Sequence, residues 1–333
     1  MSKDGFDTLP AASREAARAA FSAAFGSAAV GAISPMAGGA TSASVYRVDL
    51  GERRYVLRVE GEPNPLRNPH QYVSMRIAAE AGIAPKIHYV DETAGIAVID
   101  FIAQRPLNTY PGGPRGLAQA LGELLCRLQA TPVFPSFVNY PDIVARLFAH
   151  VRRSGLFTAG LLDAHVARLE LHRQAYDAGP RSLVSSHNDS IPGNILFDGG
   201  RLWLIDWESA YCNDPLVDVA IMLDNLAASS QLEFVFLQAW LGRPPDEALG
   251  ARLGTIRALT RLYYAGVLLS ASAAAGRATP DGDLSAPDVA EFWQAIRDRR
   301  LQPGTPETKH ILGKIFLASF FSGIATPGFD AAV

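Results

Sequence analysis

One short segment in the second half of the chain restricts how the chain can fold more than any other. Residues 194–197 are an apolar run, an Asp-Gly-Gly sequence at 198–200 is a turn signal, and residues 202–207 are a second apolar run. This pattern predicts a β-hairpin. Asn194 stands four residues before the turn and Asp206 six residues after it. Antiparallel pairing therefore returns both side chains to the open end of the hairpin, where one hard cation could bridge them.

A second carboxylate precedes this hairpin. Asp189 lies five residues before Asn194, in a segment broken by a Pro-Gly pair, which predicts an ordered loop that ends beside the cation site. A carboxylate there can orient a substrate hydroxyl and accept its proton, while Asn194 and Asp206 hold Mg²⁺ against phosphates. Each residue alone is typical of a turn, but the three at this spacing favour a catalytic site. His187 favours a structural role, bracing the loop through a hydrogen bond.

Three motifs in this region resemble a known family. They are His-Asn-Asp-x-x-x-x-Asn-Ile-Leu from residue 187, Leu-Ile-Asp-Trp-Glu from residue 204 and Asn-Asp-Pro-x-x-Asp-x-Ala from residue 213. Together they resemble the choline/ethanolamine kinases, especially the bacterial choline kinases, within the aminoglycoside phosphotransferase-like kinases. The resemblance implies that ATP is the donor, that Asp189 is the catalytic base, and that Asn194 and Asp206 bind Mg²⁺. It also suggests that Asp214 and Asp218 are structural, holding the segment after the metal site and capping the next helix.

The resemblance further implies an α+β fold of the bilobal protein-kinase-like type. A small antiparallel β-sheet lobe over residues 1–102 would bind the nucleotide, and a larger, mainly helical lobe over residues 103–333 would carry the catalytic and substrate-binding groups. The amino-terminal part agrees, because it contains apolar runs that predict strands of a five-stranded antiparallel sheet: 45–50, 54–59, 86–90 and 95–102. Helical periodicity dominates residues 115–180 and the chain from residue 219 onward.

The amino-terminal strands offer two candidate phosphate contacts. Residues 35–44 form a small-residue turn that contains Gly38, Gly39 and Thr41, and glycine there lets backbone amides approach phosphate. Arg58, on the second predicted strand, occupies the place where a kinase has its phosphate-pairing lysine. Arginine can supply the same charge with a bidentate grip. An exposed cation on an edge strand is the alternative interpretation of Arg58.

One position departs from the family pattern. The helix before Pro85 is expected to present a glutamate that pairs with Arg58, and Gln71 stands there instead. Because glutamine can hydrogen-bond but brings no charge, we expect a neutral contact with Arg58. A different carboxylate, or weakened activity, are the alternatives. Where the chain crosses between lobes, the backbone from Asp100 to Ile102 is expected to meet the adenine, although an ordinary strand end has the same sequence pattern.

The acceptor is expected to be a small alcohol, and a cationic one. A quaternary ammonium is recognised by aromatic faces with acidic support. The candidates for such a site are Trp207, Glu208, Tyr263, Tyr264 and Trp293. An aminoglycoside or polyamine would instead need several carboxylates. The acidic cluster formed by Asp281, Asp283, Asp288 and Glu291 is more typical of a solvated loop and helix start, so an aminoglycoside-type or other small-alcohol kinase is the second choice.

Two other classes fit less well. A non-catalytic nucleotide-binding scaffold would explain Gln71 and Arg58. The presence of Asp189, Asn194 and Asp206 together argues against it, because a scaffold has no need of a base. A metal-dependent phosphoesterase would use His187, Asp189 and Asp206 as ligands but lacks a second ligand cluster for a two-metal site.

Composition excludes further classes. Thirty basic against thirty-three acidic residues give a net charge of −3, which argues against nucleic acid as the main partner. The chain contains no apolar run long enough to predict a membrane span. Its two cysteines, Cys126 and Cys212, lack metal-ligand spacing and indicate a reducing compartment, so a cytoplasmic location is expected.

Overall fold

The computed structural model describes residues 5–26, 30–36, 43–61, 68–178, 182–276 and 279–322. Gly38, Gly39 and Thr41, the expected phosphate-binding turn, lie outside these residues.

The amino-terminal part is built around a five-stranded antiparallel sheet, as predicted. Its strands, in the order β1-β2-β3-β5-β4 across the sheet, are β1 (Ile33–Pro35), β2 (Ser44–Leu50), β3 (Arg53–Val59), β4 (Ile87–Asp91) and β5 (Ile96–Asp100). The first strand was not among the four predicted strand ranges, because three residues are too few to show a period, and its last residue was assigned to the small-residue turn. Alternation explains the burial of β3, in which Tyr55, Leu57 and Val59 are buried.

Helix α1 (Ala11–Phe25) packs against this sheet. Phe21 contacts Tyr55 edge-on at a ring-centroid distance of 6.4 Å, and a small buried cluster forms between helix and sheet. Helix α2 (Gln71–Glu80) follows β3 and belongs instead to the larger core, through Tyr72, Met75 and Ala78. The chain thus buries two unequal hydrophobic clusters, and α2 connects the sheet region to the larger one.

The remaining described residues are mainly helical. The helices are α3 (Gly113–Gln129), α4 (Tyr140–Arg153), α5 (Asp163–Ala178), α6 (Leu216–Leu226), α7 (Ser230–Leu241), α8 (Glu247–Ala273), α9 (Val289–Arg297) and α10 (Pro306–Ser322). Four short strands interrupt them and form two antiparallel pairs, which are β6 (Val184–Ser186) with β9 (Tyr211–Asn213), and β7 (Ile195–Phe197) with β8 (Leu202–Leu204). The mixed α+β architecture, with a small sheet and a larger helical part, is confirmed.

The helices of the larger part pack closely, and α3 also contacts β6 and β8. Helices α3 and α7 approach at Gly122, where an added Cβ would lie 2.5 Å from the carbonyl oxygen of Phe236, so a larger side chain would push the helices apart. Helix α8 runs between α4, α6 and α10 through the middle of the larger core. Across the described ranges, we find no helix whose length and apolar character together would suffice to cross a membrane.

Candidate active site

The predicted hairpin is present, with strands of three residues each. Ile195 pairs with Leu204, and one position further the amide of Ile205 donates to the carbonyl of Asn194 over 3.0 Å. Asn194 and Asp206 therefore leave the same open end of the hairpin. Asp206 has a left-handed backbone, with φ of 65°, which turns the chain sharply after β8.

The segment before the hairpin is held by one fully buried carboxylate. Asp218, in the first turn of α6, is 0 % exposed. It accepts four hydrogen bonds from consecutive parts of the segment: Ser186 Oγ at 2.7 Å, His187 N at 2.8 Å, Asn188 N at 2.9 Å and Ser190 Oγ at 3.0 Å. Asp218 therefore holds the segment before the hairpin, and not the segment after the metal site as expected. Asp214 does support that later segment, because it accepts from the amide of Leu216 at the start of α6.

Two further residues of this segment, Asn188 and His187, make contacts that hold the backbone around them. Asn188 adopts a left-handed backbone with φ of 62° and donates through Nδ2 to the carbonyls of Ser209 and Tyr211. His187 is fully buried, packs edge-on against Trp207 and lies 2.8 Å through Nε2 from the carbonyl of Ile205. This contact agrees with the bracing role expected for His187.

This segment carries Asp189, whose carboxylate is held by two hydrogen bonds. Its Oδ1 accepts from the hydroxyl of Tyr264 at 3.0 Å, and its Oδ2 accepts from Nδ2 of Asn194 at 2.9 Å. Burial is the largest influence on the carboxyl and, with the charge of Asp206, raises the pKa of Asp189 to about 6, although His187, Tyr264 and Asn194 lower it. A carboxylate with a pKa near neutrality, held by two donors, can act as a general base.

Arg58 joins the sheet to the hairpin. Its Nη1 donates to Asp206 over 2.8 Å, its Nη2 to Glu208 over 2.9 Å and its Nε to Glu60 over 3.0 Å. Burial alone would lower the pKa of Arg58, but Asp206 and Glu208 raise it above its ordinary value. Burial and the charge of Asp206 raise the pKa of Glu208. Arg58 is therefore not the exposed edge-strand cation of the alternative interpretation.

The expected contact between Gln71 and Arg58 is replaced by a different arrangement. Gln71 donates through Nε2 to Glu60 at 3.2 Å, and Tyr72 donates its hydroxyl to the same oxygen at 2.8 Å. Glu60 then pairs with Arg58, so a carboxylate from the end of β3 supplies the charge that the helix lacks. Glu60 was missed, although its spacing of two residues from Arg58 puts both side chains on one face of the strand.

Asn194 and Asp206 together suit a hard cation. The NH₂ group of Asn194 donates to both the carbonyl and the carboxylate of Asp189, so the amide oxygen faces away from Asp189. With the carboxylate of Asp206 this gives two oxygen donors, the kind of ligand that Mg²⁺ takes in proteins. In the described part of the chain, no group of three or more His, Cys, Asp and Glu side chains could hold a metal by itself. A cation here would consequently need further oxygen ligands, from water or phosphate, to complete its shell.

A small cavity of about 70 Å³ lies beside this site. Four aromatic rings line it, those of Phe137, Tyr140, Tyr211 and Tyr263, with Glu208 as the carboxylate. Tyr140 and Tyr263 lie 5.5 Å apart by ring centroid, and Phe137 and Tyr211 5.7 Å apart. The hydroxyl of Tyr140 is buried and has no hydrogen-bond partner among the described residues. The cavity adjoins Asp189 through its neighbour Asn188, which also lines it.

The amide groups in the cavity wall are already engaged. Asn68 donates to the carbonyl of Ala210 and accepts from the amide of His70. Asn188 donates to backbone carbonyls and accepts from Asn213 through Oδ1. The cavity is therefore lined by four aromatic side chains and one carboxylate, and its two amide side chains already have partners, whereas the Tyr140 hydroxyl has none among the described residues.

Of the five candidate acceptor residues, Glu208 and Tyr263 line this cavity. Trp207 is buried beneath the segment 186–190, between His187 and Phe134, and Tyr264 contacts Asp189 directly. Trp293 packs against Phe292 on α9 and is absent from the cavity lining. The rings of Phe137 and Tyr140 were missed, because an aromatic residue near a helix start has the same sequence pattern as core packing.

The remaining candidate positions have local partners. Asp100 ends β5 and lies 2.7 Å from Nε2 of His88, and Ile102 follows it toward the helical part. Their proposed contact with adenine stays a prediction. The acidic cluster is engaged within its own loop and with α10, in which Asp281 contacts His310 and Lys314, Asp283 accepts from Ser285, and Asp288 and Glu291 form a capping box.

Comparisons with known proteins identify the family of this chain and proteins of similar fold. Residues 32–264 match the model of the phosphotransferase enzyme family. Protein LicA of Haemophilus influenzae is 22 % identical over 213 residues, which cover 61 % of this chain and 61 % of that relative. The crystal structure of a choline/ethanolamine kinase family protein from Mesorhizobium loti matches 85 % of this chain and 92 % of its own, with 23 % identity and a TM-score of 0.60. Choline kinase LicA from Streptococcus pneumoniae matches 85 % and 97 %, with 18 % identity and a TM-score of 0.63.

Proposed function

The chain belongs to the phosphotransferase enzyme family, and on that premise we propose that it transfers the γ-phosphoryl group of ATP to the hydroxyl of choline or ethanolamine. The observation that carries the choice of acceptor is the cavity beside Asp189, with four aromatic rings and the carboxylate of Glu208. A quaternary ammonium has no N–H group to donate and spreads its charge over methyl groups, so aromatic faces and one carboxylate complement it. The choline kinase LicA named above is of similar fold.

Asp189 is the proposed general base. The acceptor hydroxyl gives its proton to the carboxylate as its oxygen attacks the γ-phosphorus, and the bond to the bridging oxygen of ADP breaks. Tyr264 and Asn194 fix the carboxylate, so the base is oriented before the substrate arrives. A pKa of about 6 leaves the carboxylate mostly ionised at neutral pH while keeping it a competent proton acceptor.

Asn194 and Asp206 would hold Mg²⁺, and Arg58 would contact the phosphates. When bound, Mg²⁺ neutralises charge on the β- and γ-phosphate oxygens. Arg58 is anchored by Glu60, which Gln71 and Tyr72 hold in turn. Gly38, Gly39 and Thr41 remain candidates for phosphate contact, and Asp100 and Ile102 for adenine contact. We place the division between the nucleotide-binding and catalytic lobes at residues 102 and 103, and the protein in the cytoplasm.

The alternatives are less well supported. A polyamine or aminoglycoside acceptor needs several carboxylates free to pair with ammonium groups, and Asp281, Asp283 and Asp288 already have partners in their own loop or on α10. The scaffold hypothesis rested on Gln71 and Arg58, and the pairing of Arg58 with Glu60 supplies the negative charge that Gln71 lacks.

The test is ATP consumption by the purified protein with Mg²⁺ across a panel of acceptors: choline, ethanolamine, several aminoglycosides and simple sugar alcohols. Asp189→Ala is the control for contaminating activity, and nucleotide binding should survive in it because the proposal assigns Asp189 to the acceptor hydroxyl and not to the phosphates. Turnover with choline or ethanolamine that disappears in the variant supports the proposal. Turnover with another alcohol alone would refute the acceptor, and ATP binding without turnover of any acceptor would favour the scaffold.

A further inference from the structure

Glu208 belongs to two environments at once. Its Oε2 accepts from Nη2 of Arg58 over 2.9 Å, on the side of the site assigned to phosphate. The same residue lines the aromatic cavity assigned to the acceptor. Its side chain is 32 % exposed, against 3 % for Glu60 and 17 % for Asp206, so it is the most accessible of the three carboxylates on Arg58.

The charges around Arg58 do not balance. One guanidinium contacts three carboxylates, those of Glu60, Asp206 and Glu208. Glu60 also accepts from Gln71 and Tyr72, so it keeps donors whatever Arg58 does. Within the described residues, the hydrogen bonds of the Asp206 and Glu208 carboxylates come from Arg58. These two are the partners that Arg58 can exchange.

Nucleotide binding would force this exchange. Phosphate oxygens bring negative charge to Arg58, and a fork-shaped guanidinium that turns two N–H groups to phosphate has fewer left for Glu208. Glu208 would then keep a negative charge in a partly buried cavity without its cation, which is unfavourable. A cationic acceptor in the cavity restores the pair, whereas a neutral one does not.

We infer that Glu208 couples the two substrate sites, so that nucleotide frees its carboxylate from Arg58 and thereby raises the affinity for a cationic acceptor. The inference rests on the proposed function, because it takes choline as the acceptor and polyphosphate as the ligand of Arg58. Coupling between two sites is reciprocal, so choline must raise nucleotide affinity by the same factor. We expect a factor of about ten, within the usual range for such coupling.

The experiment measures choline affinity by calorimetry with and without saturating Mg·AMP-PNP, a non-hydrolysable ATP analogue. Wild-type protein should bind choline about tenfold more tightly with the analogue present. The neutral isostere 3,3-dimethylbutan-1-ol, in which carbon replaces the nitrogen, should show little change. This comparison needs no variant and so does not depend on how a substitution folds.

Glu208→Gln should bring the choline ratio close to one, with thermal unfolding used to check that the variant is folded. The matched control is Glu233→Gln on α7. Glu233 is also paired with an arginine, Arg257, at 2.8 Å, and its side chain is 30 % exposed, but it lies outside the cavity. Glu233→Gln should retain the tenfold ratio.

Each contrary outcome has a distinct meaning. Equal choline affinity with and without nucleotide, in protein that phosphorylates choline, overturns the coupling and leaves the proposed function standing. A ratio that persists in Glu208→Gln, or that is equally large for the neutral isostere, also overturns it, since lobe closure would then suffice. If choline is neither bound nor phosphorylated while another alcohol is, the proposed acceptor is wrong and the coupling falls with it.

Discussion

The segment that carries the base and the cluster around Arg58 are held in opposite ways. Residues 186–190 are fixed by Asp218, which accepts four hydrogen bonds from amides and hydroxyls in the fully buried core of the helical part. Arg58 is fixed by ion pairs to carboxylates from the end of its own strand and from just beyond β8. The first set of contacts has no substrate to compete with it. The second set consists of groups that phosphate and metal would themselves bind.

This difference indicates which part of the site is ready before substrate arrives. Hydrogen bonds to a buried carboxylate are costly to break, so the position of Asp189 is set on folding. The side chains of Arg58 and Asp206 are also mostly buried, 13 % and 17 % exposed, but their partners are charged groups that phosphate and Mg²⁺ could replace. We therefore expect Arg58 and Asp206 to change partners on binding. The proposed enzyme therefore combines a preorganised base with a phosphate site that rearranges.

The largest effect is expected at the base. Asp189→Asn keeps the shape of the side chain but cannot accept the proton, and turnover should fall on the order of 10²- to 10⁴-fold. Tyr264→Phe removes one donor from the carboxylate and should cost far less. Steady-state rates with saturating ATP and acceptor measure both. An Asp189→Asn variant within tenfold of wild type would show that the preorganised carboxylate is not the base.

Asp218→Asn tests whether the base segment is fixed by the core. The NH₂ group of asparagine cannot accept the hydrogen bonds that the Asp218 carboxylate accepts, so buried amides and hydroxyls of residues 186–190 would lose their acceptor. We expect a loss of about 3 kcal/mol in the free energy of unfolding. Urea unfolding measures it. The control is Asp163→Asn, at an exposed ion pair with Arg152, which should change stability by less than about 0.5 kcal/mol. Equal effects would remove the contrast between the two regions.

Arg58→Lys tests the exchangeable region. Lysine keeps the charge but loses the fork that reaches Glu60, Asp206 and Glu208 together. We expect the KM for ATP to rise about tenfold, with a loss of stability smaller than that of Asp218→Asn because lysine still supplies a positive charge to the carboxylates. Arg76→Lys, at an exposed contact of 3.7 Å with Glu92, is the control. An unchanged KM would contradict the phosphate role of Arg58.

Asp281 forms ion pairs remote from both regions, so its contribution to stability is a reference for the other predictions. Burial raises the pKa of Asp281, but the hydrogen bonds from His310, the backbone of Asp283 and Lys314 outweigh it and lower the pKa to about 2, from about 3.8 for an unperturbed aspartate. The native state thus binds this proton less tightly than the unfolded state, so the contribution of Asp281 is complete above about pH 4 and is lost as the pH falls toward about 2.

Asp281→Asn should accordingly cost about 1 kcal/mol at pH 7, and the difference from wild type should shrink as the pH falls below about 4. Urea unfolding at a series of pH values, down to the lowest at which both proteins fold, measures the difference. Asp298→Asn, at an exposed pair with Arg300, is the control. A difference that does not vary with pH would assign the loss to packing rather than to charge.

The elements that could be predicted are those that depend on the pattern of residues close together in sequence. The hairpin around residues 198–200 was predictable because a turn signal lies between two apolar runs within one short segment. The sheet and the helices were predictable from hydrophobic periodicity. Strand β1 was not, because three residues are too few to show a period. The partner of Arg58 was expected on the helix, at Gln71, but it is Glu60 at the end of β3. Sequence spacing does not indicate which of several nearby polar side chains contacts the guanidinium.

The sequence by itself determined the order of the elements, the hairpin that returns Asn194 and Asp206 to one end, and the loop that carries Asp189, because these depend on neighbours a few residues apart. Only the tertiary structure decided what surrounds them. Arg58 meets Asp206 across 148 positions of chain, and Tyr264 meets Asp189 across 75. Contacts of that range depend on how helices and sheet pack together, and burial and charge pairing are properties of that packing alone.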